Sequence, residues 1–172
     1  MILNSLSGRQ AIVFSIRKDY LQSIANTYTM GKVKDILDSK GNAVYAVSPD
    51  VTVYHAIEVM CEKNIGGLII MEDGKMVGIF TERDYARKLI LKGKSSKDTS
   101  IRELMTTKVF TVTPDTSIEE CMWIMSNRKF RHLPVEENGE LVGVISISDV
   151  VRTVINEQKS IIEHLEQYIA GQ

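Results

Sequence analysis

Cysteine is scarce. The 172-residue chain holds only Cys61 and Cys121, which excludes a disulfide scaffold and fits a reducing compartment. Each falls within an apolar helical pattern, where a buried thiol behaves as a small hydrophobe. Neither belongs to a CxxC pair. The three histidines, His55, His132 and His164, stand on separate elements, and no His/Cys group has metal-ligand spacing. No apolar run approaches the ~18 residues that span a bilayer, and no signal-peptide core precedes a small-residue cleavage site. Net charge is −1, so bulk attraction to nucleic acid or an anionic membrane is not expected. Nucleophile-elbow, HExxH, P-loop and GxGxxG patterns are all missing. With 44% apolar and 25% charged residues the chain is globular and not disordered. The expectation is a non-catalytic cytoplasmic protein.

An internal repeat is present. Pro49-Asp50 recurs as Pro114-Asp115, and the same shift of 65 takes Met60 to Met125, Leu68 to Leu133 and Gly74 to Gly139. It also takes Val77-Gly78 to Val142-Gly143, Asp84 to Asp149 and Arg87 to Arg152. No gap is needed from Pro49 to Ile90. Each copy reads β-α-β-β-α. Short extended runs, Val44–Val47 and Val109–Val112, end at Ser-Pro-Asp or Thr-Pro-Asp, with the aspartate as expected cap of the next helix. Val53, Ala56, Ile57 and Met60 share one helix face, as do Ile118, Cys121, Met122 and Met125. Asp73-Gly74 and Asn138-Gly139 predict tight hairpins joining Leu68–Met71 to Met76–Phe80 and Leu133–Glu136 to Leu141–Ile145. Second helices begin near Glu82 and Ile147.

The fold class expected is α+β: two pseudo-symmetric repeats, at 32–92 and 101–157, packed as one module so that each covers the other's sheet. Residues 93–100 are polar and read as a linker. Residues 1–31 match neither repeat. Ile12, Ile16, Leu21 and Ile24 suggest an accessory amphipathic helix, with a mitochondrial or other organelle presequence as the alternative, since Arg9, Arg17 and Lys18 cluster there. Residues 158–172 prolong the last helix. Its stripe of Ile161, Ile162, Leu165 and Ile169 lies too far along the axis to stay over the repeat, and so predicts a partner chain, most simply a second copy.

One feature of each copy has the makings of a ligand site. The strand-to-helix junctions read Thr81-Glu82-Arg83-Asp84 and Ser146-Ile147-Ser148-Asp149. Hydroxyl and acid three apart at a helix start share one side of the first turn, where free amides attract anions. The same pattern is also a capping box with no ligand role. Arg131-His132 opens a strand where apolar residues are expected; Arg131 is either a solvated edge charge or a phosphate ligand.

Lys129-Phe130-Arg131-His132-Leu133-Pro134-Val135 and Gly139 through Asp149 resemble the signature of the cystathionine β-synthase (CBS) domain. The copy from Lys32 to Leu91 resembles a second one, together a Bateman module of the kind found in stand-alone CBS-pair proteins. That resemblance implies two clefts between the copies that take adenosyl ligands: AMP, ADP, ATP, NAD or S-adenosylmethionine. It places Arg131, Ser146, Ser148 and Asp149 in the first cleft, with backbone of Asn42, Ala43, Val44 and Tyr45 and the pair Gly66-Gly67 against the adenine. It places Thr81, Arg83, Asp84 and His132 in the second, with backbone of Lys108, Val109 and Phe110. Two glycines allow close approach of a flat ring, although they equally fit a strand bulge. Arg131, Ser146 and a helix start as one anion site favour AMP or NAD over a sulfonium. The implied protein is a nucleotide-sensing regulator, a homodimer acting on an unidentified partner protein; the alternative is an interaction module with vestigial clefts.

Overall fold

The computed structural model describes residues 31–170; the N-terminal helix expectation lies outside them. The chain divides into a unit spanning Lys32–Val150 and a second unit that includes Val151 onward.

In the first unit α1 (Val33–Lys40) leads into β1 (Ala46–Val47), α2 (Val53–Lys63), β2 (Gly67–Glu72) and β3 (Lys75–Thr81). A single helical turn, α3 (Glu82–Asp84), continues as a π-helical turn over Tyr85–Leu89 and a 3-10 turn over Ile90–Lys92. The second copy opens with a 3-10 turn, Ile101–Glu103, and runs through α4 (Ile118–Arg128), β4 (His132–Glu137) and β5 (Glu140–Ser146) to α5 (Ile147–Ala170). The architecture is the expected α+β pair.

β2 and β3 pair antiparallel, as do β4 and β5. Both hairpins turn at two residues of positive φ, Asp73-Gly74 and Asn138-Gly139, the geometry that matches strand twist. Both carry an irregularity at the same place, Ile70/Met71 and Val135/Glu136. β1 adds in parallel to β2. Its counterpart, expected over Val109–Val112, is reduced to one bridge between Val112 and Val135. Proline accounts for the loss. In the first copy the Ile69 amide donates to the Tyr45 carbonyl at 3.2 Å; its counterpart is Pro134, which has no N–H.

Two expectations about helix ends are corrected. The caps of α2 and α4 are Thr52 and Ser117, whose hydroxyls accept from the amides of His55 and Glu120. Asp50 and Asp115 lie upstream of these caps and pair instead with Arg102 and Lys32. Residues 93–100 are no idle linker: the carbonyls of Ser96 and Thr99 accept from Tyr54 and Val53, first-turn amides of α2, and Thr99 is buried. Such amides have no partner within a helix.

Each copy is held by the lead-in of the other. Val33 and Lys34 amides donate to Thr116 and Pro114 carbonyls, and Ile101 and Arg102 amides donate to Val51 and Pro49 carbonyls. The lead-ins are related by 68 residues (33 to 101) and the helices by 65, so the exchange is reciprocal. Side chains follow the same rule. A Cβ on Gly143 would stand 2.7 Å from Leu37, and one on Gly78 would stand 2.9 Å from Met105, the counterpart of Leu37. The core of Val53, Ala56, Met60, Leu68, Ile70, Phe80 and Leu89 therefore includes Ile101 and Leu104 from the second lead-in. Full burial of such side chains is worth about 1.5–3 kcal/mol each, so neither copy has its core without the other's first turn.

Cys121 is buried in α4, and burial, with the Glu120 charge, pushes its thiol up to about 11. Cys61 departs from the expectation. It is exposed, because the buried face of α2 runs through Val53, Ala56 and Met60 and turns the next residue outward. In the second unit the continuation of α5 leaves Ile162 54% and Ile169 73% exposed. No described helix is long and apolar enough to cross a membrane.

Candidate functional site

β3 and β5 end in equivalent caps. The Thr81 amide and hydroxyl donate to Asp84 Oδ2 at 3.0 and 2.7 Å, and the Asp84 amide donates to Thr81 Oγ1 at 3.3 Å. The Ser146 amide and hydroxyl donate to Asp149 Oδ2, both at 2.8 Å, and the Asp149 amide donates back at 3.3 Å. Both junctions are therefore complete capping boxes.

Each aspartate also holds an ammonium. Lys88 Nζ lies 2.8 Å from Asp84 Oδ1, and Lys40 Nζ lies 2.7 Å from Asp149 Oδ2. Burial pushes the Asp149 carboxyl up, but the hydrogen bonds from Lys40 and Ser146 and the Lys40 charge outweigh it and hold the group below its ordinary value.

A cavity of about 400 Å³ opens at the first junction, within the size range of small-molecule sites. Repeat one contributes Gly66, Ile79 and Thr81–Asp84, and repeat two contributes Thr106, Lys108–Phe110 and the run Arg128–His132. Five cationic residues, Arg83, Lys108, Arg128, Lys129 and Arg131, face two acids, Glu82 and Asp84. Arg83 bridges the copies, donating from Nη1 to the Lys129 carbonyl at 2.8 Å. The Arg128 guanidinium stands 4.8 Å from the centre of the Phe110 ring. A weaker copy of that pair, Lys63 over Tyr45 at 5.8 Å, recurs in the other repeat.

The structure thus gathers Thr81, Arg83, Asp84, Lys108, Val109, Phe110 and His132 around one space, as grouped from the sequence. It adds Gly66 and Arg131, which the sequence reading assigned to the other cleft. Both stand at the crossing of the repeats, where the Gly66 carbonyl accepts from the Glu82 amide and the Arg131 carbonyl from the Ile147 amide. Asn42, Ala43, Val44, Tyr45, Gly67, Ser146, Ser148 and Asp149 are not among the lining residues. Asn42–Tyr45 form the irregular stretch before β1, and Ser148 is exposed on the first turn of α5.

A flat ring does lie on Gly66-Gly67, but it belongs to the chain. A Cβ on Gly67 would stand 3.0 Å from His132 Cγ and Nδ1, and one on Gly66 would stand 3.2 Å from Glu82 Oε2. His132 Nδ1 is buried without a hydrogen-bond partner. Burial lowers the imidazole pKa, helped by the Lys40 and Arg131 charges and opposed by the carboxylates of Glu82 and Asp149. Sequence reasoning missed Ile79, Glu82, Thr106, Arg128, Lys129 and Phe130 as wall residues. Arg128 was open to discovery because it adjoins the Lys129–Val135 motif; Thr106 had no signal of its own.

The class defined by the fold is a tandem α+β repeat pair with a cation-rich cavity between its copies, and comparison with known proteins gives that class a family. The CBS domain family model matches residues 33–91 and 101–156, and the chain belongs to this family. It is 38% identical over 148 residues to the CBS domain-containing protein CBSX3, mitochondrial, of Arabidopsis thaliana, covering 81% of this chain and 72% of that one. The crystal structure of the CBS-domain containing protein ATU1752 from Agrobacterium tumefaciens is 41% identical with a TM-score of 0.69, covering 71% of this chain and 98% of that one. The CBS domain pair of protein MJ0100, solved with 5-methylthioadenosine and S-adenosyl-L-methionine, is 27% identical with a TM-score of 0.65, covering 74% of this chain and 98% of that one.

Proposed function

We propose that the protein is a non-catalytic regulator that binds an adenine nucleotide, AMP or the AMP half of NAD, in the cavity bounded by Thr81, Asp84 and Arg131. The observation that carries this reading is the cation excess of that cavity. Asp84 is already neutralised by Lys88, so the remaining acid, Glu82, faces five cations. Phosphate answers such a surface with charge-assisted hydrogen bonds; a sulfonium adds a sixth positive charge. S-adenosylmethionine, present in the MJ0100 structure, therefore ranks below AMP here.

The ribose of such a ligand lies over the Thr81–Asp84 turn and its phosphate among Arg83, Lys108 and Arg131. Binding draws the two copies together, because those cations come from both, and a partner protein reads that arrangement. The chain acts as a homodimer through the exposed stripe of α5, in the cytoplasm; the mitochondrial name of one relative makes an organelle the alternative. The competing reading, an interaction module with vestigial clefts, draws on the completeness of both capping boxes.

Thermal melts with AMP, ADP, ATP, NAD and S-adenosylmethionine separate these readings. A ligand at 100 times its dissociation constant adds about 2.7 kcal/mol to the folded state. The expected result is a rise with AMP or NAD; a rise with S-adenosylmethionine alone, or with none of the five, overturns the proposal.

A further inference from the structure

His132 sits where the two copies cross, and its surroundings are not symmetric. By the repeat offset of 65 its counterpart is Gly67, and the counterpart of Glu82 is Ile147. The Thr81/Asp84 junction therefore has an imidazole and a carboxylate where the Ser146/Asp149 junction has a glycine and an isoleucine. Both polar groups line the cavity.

The backbone fixes the ring. His132 pairs with Ser146 in the register of β4 and β5, and the Arg131 carbonyl before it accepts from the Ile147 amide at 2.9 Å. A Cβ on Gly66 would stand 3.5 Å from His132 Cε1 and 3.2 Å from Glu82 Oε2, so ring and carboxylate border one small space. His132 Nδ1 is buried there with no hydrogen-bond partner. Glu82 is exposed, so its carboxylate is free to turn toward a donor. Charged groups reach the ring from four elements: Glu82 after β3, Asp149 of α5, Lys40 of α1 and Arg131 on the approach to β4. Burial, with Lys40 and Arg131, favours the neutral ring; Glu82 and Asp149 oppose them. An anion seated on Arg131 shifts that balance. It offsets one of the two repelling cations and brings negative charge into the cavity, and a nearby opposite charge favours imidazolium.

We propose that the cavity takes up a phosphate-bearing ligand together with one proton, carried by His132 and held across the copies by the Glu82 carboxylate. This rests on the nucleotide reading above and adds how that site is regulated. The proton comes from solvent and goes to the ring nitrogen that lacks one; no bond of the ligand breaks. Linkage is reciprocal: a ligand that raises the proton affinity of His132 is itself bound more tightly, by the same factor, once His132 is protonated. Affinity therefore rises as pH falls from the ligand-bound midpoint of His132 toward its lower ligand-free midpoint.

Imidazole NMR of the full chain, titrated from pH 8 to 5 with and without saturating AMP, and separately NAD, tests the inference. The chain has three histidines, and His55 and His164 are exposed, so His55→Gln and His164→Gln assign the His132 signal by elimination without touching the crossing. The expected result is a rise of the His132 midpoint by about one pH unit on ligand binding, equivalent to about tenfold tighter binding to the protonated chain, with the other two midpoints unmoved. Glu82→Gln, which keeps the size and removes the charge, is expected to lower the ligand-bound midpoint. A ligand that binds without raising the His132 midpoint, or a bound midpoint that Glu82→Gln leaves unchanged, overturns the proton linkage and leaves the nucleotide reading intact. No binding of either compound overturns both.

Discussion

The imidazole of His132 lies against Gly67 so closely that a Cβ there would stand 3.0 Å from its Cγ and Nδ1. The two residues are sequence counterparts, 65 apart, so the ring of one copy occupies the space left by the missing side chain of the other. The crossing of the repeats is therefore asymmetric.

Gly67→Ala is expected to cost about 1–3 kcal/mol, the range for overpacking a filled site. Combining it with His132→Ala should recover part of that loss, since contacting residues couple by about 0.5–3 kcal/mol. Urea melts of the four proteins measure the coupling; strict additivity would mean that ring and glycine do not share the space.

Acid should weaken the fold through the same ring. Burial lowers the folded-state pKa of His132, so between that value and the unfolded value near ~6.5 the unfolded chain binds more protons. Stability then falls as pH drops through that window. His132→Gln removes the slope, and melts from pH 7.5 to 5 should show a flatter dependence than wild type. A second loss belongs at lower pH. The Asp149 carboxyl is held down by Lys40 and Ser146, so its contribution is present above about pH 4 and vanishes as pH falls through its folded-state value.

Much of this was legible in the chain, and the limits have physical causes. The gapless shift of 65 fixed the repeats, and Asp73-Gly74 and Asn138-Gly139 gave the hairpins because only a positive-φ pair makes that turn. The exchange of lead-ins was hidden, because its offset changes to 68 and its contacts join residues more than fifty apart, such as Pro49 and Arg102. The loss of the strand at Val109–Val112 could have been read from Pro134, which lacks the N–H that its counterpart Ile69 donates to the first strand. At the site, the hydroxyl–acid pairs were visible but the source of each counter-ion was not. Lys88 lies near Asp84 in sequence, whereas Lys40 reaches Asp149 across 109 residues. For the same reason the sequence grouped Arg131 and Gly66 with the Ser146/Asp149 junction, whereas the folded chain sets both in the wall of the cavity at Thr81/Asp84.

Self-association should depend on the last helix. Ile162, Leu165 and Ile169 are exposed along α5, and an apolar stripe of this kind rarely faces water. Replacing Ile162 and Leu165 with Glu is expected to lower the sedimenting mass at tens of micromolar to that of one chain, with the thermal transition of the repeats retained. A wild type already monomeric there would contradict the proposal.

The nucleotide reading stands or falls on Arg131, which lines the cavity and takes part in no capping box. Calorimetric titration of AMP into wild type and Arg131→Ala is its most direct test. The account predicts at least tenfold weaker binding in the variant, a loss of about 1.4 kcal/mol, with an unchanged melting temperature in the absence of ligand. Equal affinity in the two proteins would contradict it and leave the junctions as helix caps alone.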